Sequence, residues 1–271
     1  MRVNDSTSAL DALRARIDRL GDGRDRRVSG SFSAGHPGLD AAIGGGVARG
    51  RLHEVFGAEP EDAGSASAFT LLLALLAKTP GETGQASPLL WLRTDDAMRR
   101  SGMPYGPGLA DMGIDPAGII LAVMPDALAL LRAAADALRC PALCAVVIEC
   151  WGSPKVLDLT ASRRLTLAAE SAGTTALLLR MDAQPSPSTA ETRWRIAAAP
   201  SAPLAANAPG HSSFDIDLLR RRAGPDGLAW RLEWKRDQRC FVEPPLSGAV
   251  VPVPAAGPAA DGGALALGAA G

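Results

Sequence analysis

No lysine or arginine occurs between Leu52 and Ala77, although this stretch begins with a strand-like run and continues into a long apolar segment. Cysteine and histidine are also scarce, with four cysteines and three histidines in 271 residues. No two cysteines form a C-x-x-C pair, and the histidines lie far from them in sequence. Because structural zinc sites need closely spaced thiolate and imidazole ligands, we expect no metal site. The cysteines are better explained as small buried residues in a reducing compartment.

The sequence also has no excess of positive charge. The 28 lysines and arginines are balanced by 29 aspartates and glutamates. Since nucleic-acid binders neutralise phosphates with Lys and Arg, we expect any DNA contact to be indirect or weak. The longest apolar run, around Phe69 to Ala77, is far shorter than the about 20 residues of a membrane helix. The N-terminus is polar without a visible signal peptide, so we expect a soluble, cytoplasmic protein with no membrane contact.

Apolar strand-like runs alternate with helix-like segments from Ser33 onward. Such strands, apolar on both faces and separated by helices, are typical of a parallel sheet covered on both sides. The pattern therefore predicts an α/β fold with a mostly parallel sheet. Strands are predicted at residues 51–56, 88–94, 118–123, 143–149 and 174–180, and helices at 65–78, 126–139 and 156–172.

The same pattern divides the chain into three parts. Residues 1–30 are predicted to form a short amphipathic helix and a polar linker, and residues 31–243 the α/β domain. Within that domain, residues 213–243 contain two alternating strands and a turn, which predict an antiparallel hairpin appended to the parallel sheet. Residues 244–271 are almost all Ala, Gly, Pro and Val and are predicted to be disordered. The apolar side of the N-terminal helix consists of Leu10, Leu13, Ile17 and Leu20.

A phosphate-binding loop would be expected directly after the first strand, between Gly57 and Ser65. In the pattern G-x-x-x-x-G-K-[ST], backbone amides surround the phosphates, the lysine neutralises their charge, and the hydroxyl holds Mg²⁺. Here Asp62 replaces the second glycine and Ala63 replaces the lysine. A register that uses Gly64 recovers a glycine but still lacks the lysine. The sequence therefore predicts a degenerate phosphate-binding loop at Gly57, Asp62, Gly64 and Ser65 that holds no cofactor.

Acidic residues follow the strands where catalytic carboxylates would be sought. Glu149 ends a predicted strand where an ATPase would hold its metal ion, and Asp95 and Asp96 follow another where an ATPase keeps a water-activating carboxylate. Without the lysine and hydroxyl they have no substrate to act on, so we expect no catalytic residue. The alternative is a weak DNA-dependent ATPase with Asp95 or Asp96 as general base and Glu149 on the metal.

The densest basic cluster lies in the predicted hairpin, close to Trp230 and Trp234. Tryptophan and arginine dominate the energetics of many interfaces, so the cluster is a candidate partner-contact surface. Alternation favours burial of the two tryptophans. For the arginines, a contact surface and a merely solvated face remain equally open. The candidate contact residues are Arg220, Arg221, Arg222, Arg231, Lys235 and Arg236.

Two consecutive segments carry a resemblance to a known family. Ser33 to Gly46 resembles the pattern S-x-x-x-x-L-D-x-x-L-G-G-G that opens RecA-like domains, and Gly50 to Gly57 resembles the G-R-I-x-E-I-x-G that follows. With its decayed phosphate loop, N-terminal helix and Trp/Arg-rich C-terminal strands, the chain resembles the ImuA family over about residues 9 to 243. This implies a RecA-like three-layer domain with a C-terminal antiparallel hairpin.

The resemblance also implies a function. ImuA proteins are accessory proteins of the bacterial translesion mutagenesis cassette, which is induced by DNA damage. The implied partners are an ImuB-like inactive polymerase homologue, an error-prone C-family DNA polymerase, and RecA as a further candidate. The resemblance therefore implies a non-catalytic adaptor that recruits these partners. A second alternative is a cell-division inhibitor, since some of these have a degenerate RecA-like fold.

Overall fold

The computed structural model describes residues 30–78 and 87–244, apart from residues 202, 205, 207, 209 and 225. The predicted N-terminal helix at residues 10–20 and the predicted tail from residue 244 onward lie outside these residues, except for residue 244 itself. No helix in the described ranges is long and apolar enough to cross a membrane.

One nine-stranded sheet forms the centre of the molecule. Six strands run parallel and three C-terminal strands continue the sheet in antiparallel fashion, in the order β11-β10-β9-β8-β3-β7-β6-β4-β5. These are β3 (Leu52–Gly57), β4 (Leu89–Thr94), β5 (Ile119–Met124), β6 (Ala145–Trp151), β7 (Thr175–Met181), β8 (Thr192–Ala198), β9 (Ser213–Arg221), β10 (Leu228–Lys235) and β11 (Cys240–Val242). A separate pair joins β1 (Ser31–Phe32) to β2 (Val47–Ala48).

Helices cover both faces of this sheet, which confirms the predicted three-layer α/β architecture. Helix α2 packs on one face, and α5 and α6 pack on the other. The helices are α1 (Pro37–Ala42), α2 (Ala63–Leu76), α3 (Asp95–Ser101), α4 (Gly106–Asp111), α5 (Ala127–Ala137) and α6 (Leu159–Ala172). Single 3-10 turns lie at Pro60–Asp62 and Pro116–Gly118.

Helix α2 is enclosed on more than one side. Residues Phe69 to Leu75 are all buried, which is the expected arrangement for a helix that is apolar all round. The sheet covers one side, and the β1–β2 pair with α1 contributes Phe32, Leu39 and Val47 to the same core. We call the β1–β2 pair together with α1 the cover of α2. Arg49 holds this cover in place by donating a hydrogen bond of 2.7 Å to the carbonyl of Ala77, directly after α2.

The C-terminal strands continue the sheet in antiparallel fashion, as predicted, and their side chains belong to the core that α2 covers. The side chains of Phe214 and Phe241 reach the ring of Phe69 in α2, with ring centroids 6.3 and 5.8 Å apart. Trp234 packs on Phe241 at 4.9 Å and is 2% exposed. Burial was correctly predicted for Trp234, whereas Trp230 is only half-buried. The antiparallel strands complete the face of the sheet that α2 covers.

The main strands and helices begin and end within three residues of the predicted positions. Helices α1, α3 and α4 were not predicted, nor were β1, β2 and β11. The strand that contains Glu149 does not end there, because it continues to Trp151. Glu149 therefore lies inside a strand with 1% of its surface exposed.

Candidate functional site

The loop between β3 and α2 occupies the position of a phosphate-binding loop but directs its hydrogen bonds into the protein. Ala58 N–H donates to the carbonyl of Ile196 at 2.9 Å, and Asp62 N–H donates to the carbonyl of Glu59 at 3.0 Å. Glu59 N–H donates to Asp62 Oδ2 at 3.2 Å. A phosphate-binding loop would aim such amides at its ligand. Here the amides donate to groups within the 3-10 turn and to a carbonyl of β8 instead.

Asp62 is the anchor of this turn. Its Oδ1 accepts a hydrogen bond of 2.8 Å from Ala198 N–H, while its Oδ2 accepts from Glu59 N–H. The carboxylate thus joins the loop to the end of β8. Of the other predicted loop residues, Gly57 is the last residue of β3, and Gly64 and Ser65 lie in the first turn of α2. The loop is held by an internal carboxylate where a nucleotide site would have an external phosphate.

Glu149 forms a buried ion pair with Arg93 on the neighbouring strand. The two residues are register partners on β6 and β4, and they are 1% and 2% exposed. Arg93 Nε lies 2.7 Å from Glu149 Oε2, and Arg93 Nη2 donates to Oε1 at 3.0 Å. The guanidinium also donates to the carbonyl of Gly102 at 2.7 Å and lies 5.0 Å from the ring centroid of Trp91. Arg93 is therefore joined to Glu149 by opposite charge and by one charge-assisted hydrogen bond from Nη2.

Two tryptophans also contact Glu149. Trp91 Nε1–H donates to Oε2 at 3.0 Å and Trp151 Nε1–H donates to Oε1 at 3.1 Å, while Ser101 Oγ lies 3.3 Å from Oε1. With Arg93 Nη2, these donors hold both carboxylate oxygens. The side chain predicted to be the metal ligand of an ATPase is therefore engaged in contacts within the protein.

Asp95 and Asp96 lie in the first turn of α3, where negative charge favours the helix. Thr94 caps the helix by accepting from Ala97 N–H at 3.1 Å. Asp96 pairs with Arg100 at 2.9 Å, one helical turn away, and Asp95 is exposed. Both carboxylates therefore act as helix-terminal residues in this arrangement.

A cleft of about 550 Å³ remains beside the loop. It lies between the first half of α2 and the segment from Ser101 to Met112, with Trp91, Arg93 and Trp151 among its lining. Its two arginines already have carboxylate partners, because Arg93 pairs with Glu149 and Arg100 with Asp96. In the described part of the chain, the cleft therefore offers no unpaired Lys or Arg to a triphosphate.

A second buried ion pair joins β3 to β8. Glu54 and Arg193 are register partners, and Arg193 Nε lies 2.7 Å from Glu54 Oε2. Arg193 also donates to Ser188 Oγ at 2.8 Å. Nearby, Arg180 lies over the ring of Phe56 at 5.6 Å, and burial lowers the pKa of its guanidinium. Polar groups thus occupy the interior of the sheet on both faces near the loop.

The six cationic residues predicted as partner contacts do not form one patch. Arg220, Arg221 and Arg222 lie at the end of β9, whereas Lys235 and Arg236 lie at the end of β10. Because these strands are antiparallel, the two groups lie at opposite ends of the hairpin, roughly 30 Å apart at about 3.3 Å per residue.

Four of the six residues have an intramolecular partner. Arg221 donates to the carbonyl of Ala42 at 3.1 Å, and Arg231 forms a two-pronged pair with Asp215 at 2.7 and 2.8 Å. Lys235 pairs with Glu233 at 3.1 Å, and Arg236 with Asp237 at 3.3 Å. Arg220 and Arg222 are exposed. Their role as partner contacts stays a prediction.

The turn before β2 shows why the segment that resembles the opening of RecA-like domains ends in three glycines. Gly44, Gly45 and Gly46 all have positive φ angles, from 80° to 123°. A Cβ on Gly46 would lie 2.5 Å from the carbonyl oxygen of Phe32. Both the positive φ angle and this close contact therefore exclude a side chain at Gly46. Asp40 closes the preceding loop by accepting from Ser33 Oγ–H and Ala34 N–H, each at 2.6 Å. The motif builds the cover of α2 and contains no ligand-binding group of its own.

His53 connects this cover to the sheet. It is fully buried, with Nε2 2.8 Å from the carbonyl oxygen of Ala48 and Nδ1 2.8 Å from Thr192 Oγ1. Thr192 Oγ1 in turn accepts from Trp194 Nε1–H at 2.8 Å. This chain of donors fits a neutral imidazole that donates through Nε2. Burial, as the main cause, lowers the pKa of His53 to about 4.

Acidification should therefore destabilise the protein through His53. The unfolded chain binds a proton near pH 6.5 whereas the folded protein resists it down to about pH 4, so stability falls as pH drops through that window. Between pH 7 and pH 5 we expect a loss of about 2 kcal/mol from this side chain. Urea unfolding at both pH values measures the loss, and His53→Gln should flatten the slope. His211→Gln is the matched control, and an equal flattening there would contradict the assignment.

Sequence reasoning missed both buried ion pairs. The signal was present for three of the four residues, because Arg93, Glu149 and Glu54 are each the single Lys, Arg, Asp or Glu of a mainly apolar strand. Arg193 shares its strand with Arg195. Only the register of adjacent strands shows which charge meets which. Within the described ranges, no group of three or more His, Cys, Asp or Glu side chains is placed to hold a metal ion.

Comparisons with known proteins found similar sequences and a similar fold. No protein-family model matches it. It is 32% identical over 214 residues to Protein ImuA of Caulobacter vibrioides strain NA1000 / CB15N, a match that covers 74% of this chain and 82% of that protein. The protein of the same name from C. vibrioides strain ATCC 19089 / CIP 103742 / CB 15 matches equally well. The crystal structure of the RadB recombinase superposes with a TM-score of 0.51 at 16% identity, covering 78% of this chain and 99% of that chain, and this shows a shared RecA-like fold.

Proposed function

The chain belongs to the ImuA family, and from this premise we propose that it is a non-catalytic RecA-like adaptor in DNA-damage-induced translesion synthesis. In this role the fold provides surfaces that recruit an ImuB-like inactive polymerase homologue and an error-prone C-family polymerase, with RecA as a further contact. The protein would act in the cytoplasm, and DNA would be reached through these partners.

The buried pair of Glu149 with Arg93 is the observation that carries the non-catalytic half of the proposal. A metal-dependent ATPase needs a carboxylate that reaches the metal or its water. Glu149 is instead buried against an arginine and two tryptophan donors. The loop at Gly57 to Asp62 adds to this, because it carries three carboxylates and no lysine, which disfavours a triphosphate.

A weak ATPase is the second candidate, favoured by the RecA-like fold that the chain shares with a recombinase. We expect titration with ATP and Mg²⁺ to millimolar concentration to give no saturable signal, because the described lining of the cleft has no unpaired lysine or arginine and Glu149 is paired with Arg93. Isothermal calorimetry on the full chain measures this, with RecA as positive control. Asp96→Asn should change nothing. A saturable signal that Asp96→Asn abolishes would establish the ATPase instead.

The adaptor role is tested by co-purification of the full chain with an ImuB-like protein. Deletion of residues 213–243 is not an informative variant, because it removes Phe214, Trp234 and Phe241 from the core. Surface changes are better: Arg220→Glu with Arg222→Glu alters one end of the hairpin, and Arg236→Glu alters the other. Arg163→Glu, exposed on α6, is the matched control.

The result distinguishes the possibilities. Retention of the ImuB-like protein by the native chain supports the adaptor, and loss in one hairpin variant locates the contact. Retention of the division protein FtsZ in place of the polymerase partners would support a cell-division inhibitor. No retention of any translesion partner, under conditions where the chain is folded, would contradict the proposal.

A further inference from the structure

A groove between α5 and α6 lies on the sheet face opposite to α2, and none of the contacts described above uses it. Its volume is about 210 Å³. Leu165 at its base is 1% exposed, whereas Leu128 and Val156 are 44% and 41% exposed. Pockets for small organic ligands usually measure about 300–1,000 Å³. The groove is therefore sized for one or two side chains of another polypeptide.

Two arginines give the groove a positive charge. Arg132 of α5 and Arg164 of α6 both line it, and no Asp or Glu does. Neither arginine forms an ion pair with a carboxylate in the part of the chain that the structure describes. An apolar groove with exposed arginines favours a ligand that is apolar in the centre and acidic at its sides.

The acidic residues of the same two helices are engaged elsewhere. Asp126 caps α5 by accepting from Ala129 N–H at 2.8 Å, and Asp158 caps α6 by accepting from Ala161 N–H at 2.7 Å. Asp136 pairs with Arg139 at 3.0 Å, and Glu170 of α6 pairs with Arg51. The described part of these helices thus supplies no carboxylate that neutralises the groove.

We propose that this groove binds an amphipathic segment of a partner protein, with an aliphatic side chain inserted beside Leu128 and Val156 and carboxylates against Arg132 and Arg164. The charge of the occupant argues against the chain's own residues 10–20. That stretch carries three arginines against two aspartates, so it would bring a net positive charge to a positive groove. The acidic partner segment is the occupant that the charges fit.

The probe for this proposal is a fluorescein-labelled helical peptide in which leucines at helical spacing are flanked by glutamates. Fluorescence anisotropy with the full-length protein measures its affinity. We expect saturable binding that weakens with added salt, and Arg132→Glu with Arg164→Glu should raise the Kd at least about tenfold. Leu128→Ser tests the apolar contact at an exposed position, where the fold tolerates the change.

Matched controls make the outcome decisive. Arg163→Glu, exposed on α6 but absent from the groove lining, should leave the Kd unchanged. A peptide with lysines in place of the glutamates should not bind. Equal binding of the lysine peptide, or equal loss in Arg163→Glu, would overturn the proposal. So would the absence of saturable binding at millimolar acidic peptide, or tighter binding of a peptide of residues 1–29, which would identify the groove as an internal docking site.

Discussion

Replacing Arg93 by methionine is expected to lower the free energy of unfolding by about 3–5 kcal/mol, because it leaves the carboxylate of Glu149 buried without a counter-charge. Methionine keeps most of the arginine's apolar stem, so the loss reports mainly on the charge. Urea unfolding of the full chain, followed by tryptophan fluorescence, measures the change from the midpoint and slope. Trp91 and Trp151 donate to Glu149, so two of the five tryptophans report on the site itself.

A second substitution shows that the effect belongs to the pair. Glu149→Gln in the Arg93→Met background removes the charge but keeps an oxygen that accepts from Trp91 or Trp151. We expect this double variant to regain at least half of the lost stability. Arg100→Met is the matched control, since its pair with Asp96 is exposed and should contribute no more than about 1 kcal/mol. Equal losses for Arg93→Met and Arg100→Met would show that burial of the pair is not the cause.

Replacing Phe241 by alanine is the second change with a large expected effect. Its ring is 2% exposed and packs against Phe69, Phe214 and Trp234. Removing a buried phenylalanine leaves a cavity and typically costs about 3–5 kcal/mol. We expect a loss of this size in the global unfolding transition measured by urea, because β11 shares its core with α2.

The same experiment decides whether the C-terminal strands form a separate unit. Leu228→Ala on β10 is the control, because Leu228 is 36% exposed and its truncation should change stability by less than about 1 kcal/mol. If the hairpin unfolded independently, Phe241→Ala would produce an early transition and leave the main one in place. A single transition shifted to lower urea concentration supports one cooperative core.

Much of the fold could be predicted from the sequence, because the strands of the parallel sheet are apolar on both faces. Runs such as Leu89–Thr94 and Ala145–Trp151 occur in that form mainly in covered parallel sheets. The short helices α1, α3 and α4 have six or seven residues, too few for a helical period to be recognised. Helix α3 is instead stabilised by tertiary contacts, since Arg93 donates to the carbonyls of Ala97 and Gly102 at its end.

Only half of the candidate site could be predicted from the sequence. The missing lysine and the carboxylates of the loop were visible in the sequence, and they predicted an empty nucleotide position. The partner of Glu149 was not visible, because β6 pairs with β4 and not with β5, the strand that precedes it in the chain. Arg93 meets Glu149 only because β6 lies beside β4, and Arg193 meets Glu54 only because β8 lies beside β3.

The pairing of Glu149 with Arg93 also sets the cost of building an ATPase site into this chain. Ala63→Lys would place a cation in the loop but would leave Glu149 paired with Arg93. Releasing Glu149 requires loss of Arg93, which alone carries a penalty comparable to a large part of a domain's net stability. Variants that free this carboxylate are therefore expected to be poorly folded, so the pairing of two strands restricts which substitutions the protein tolerates.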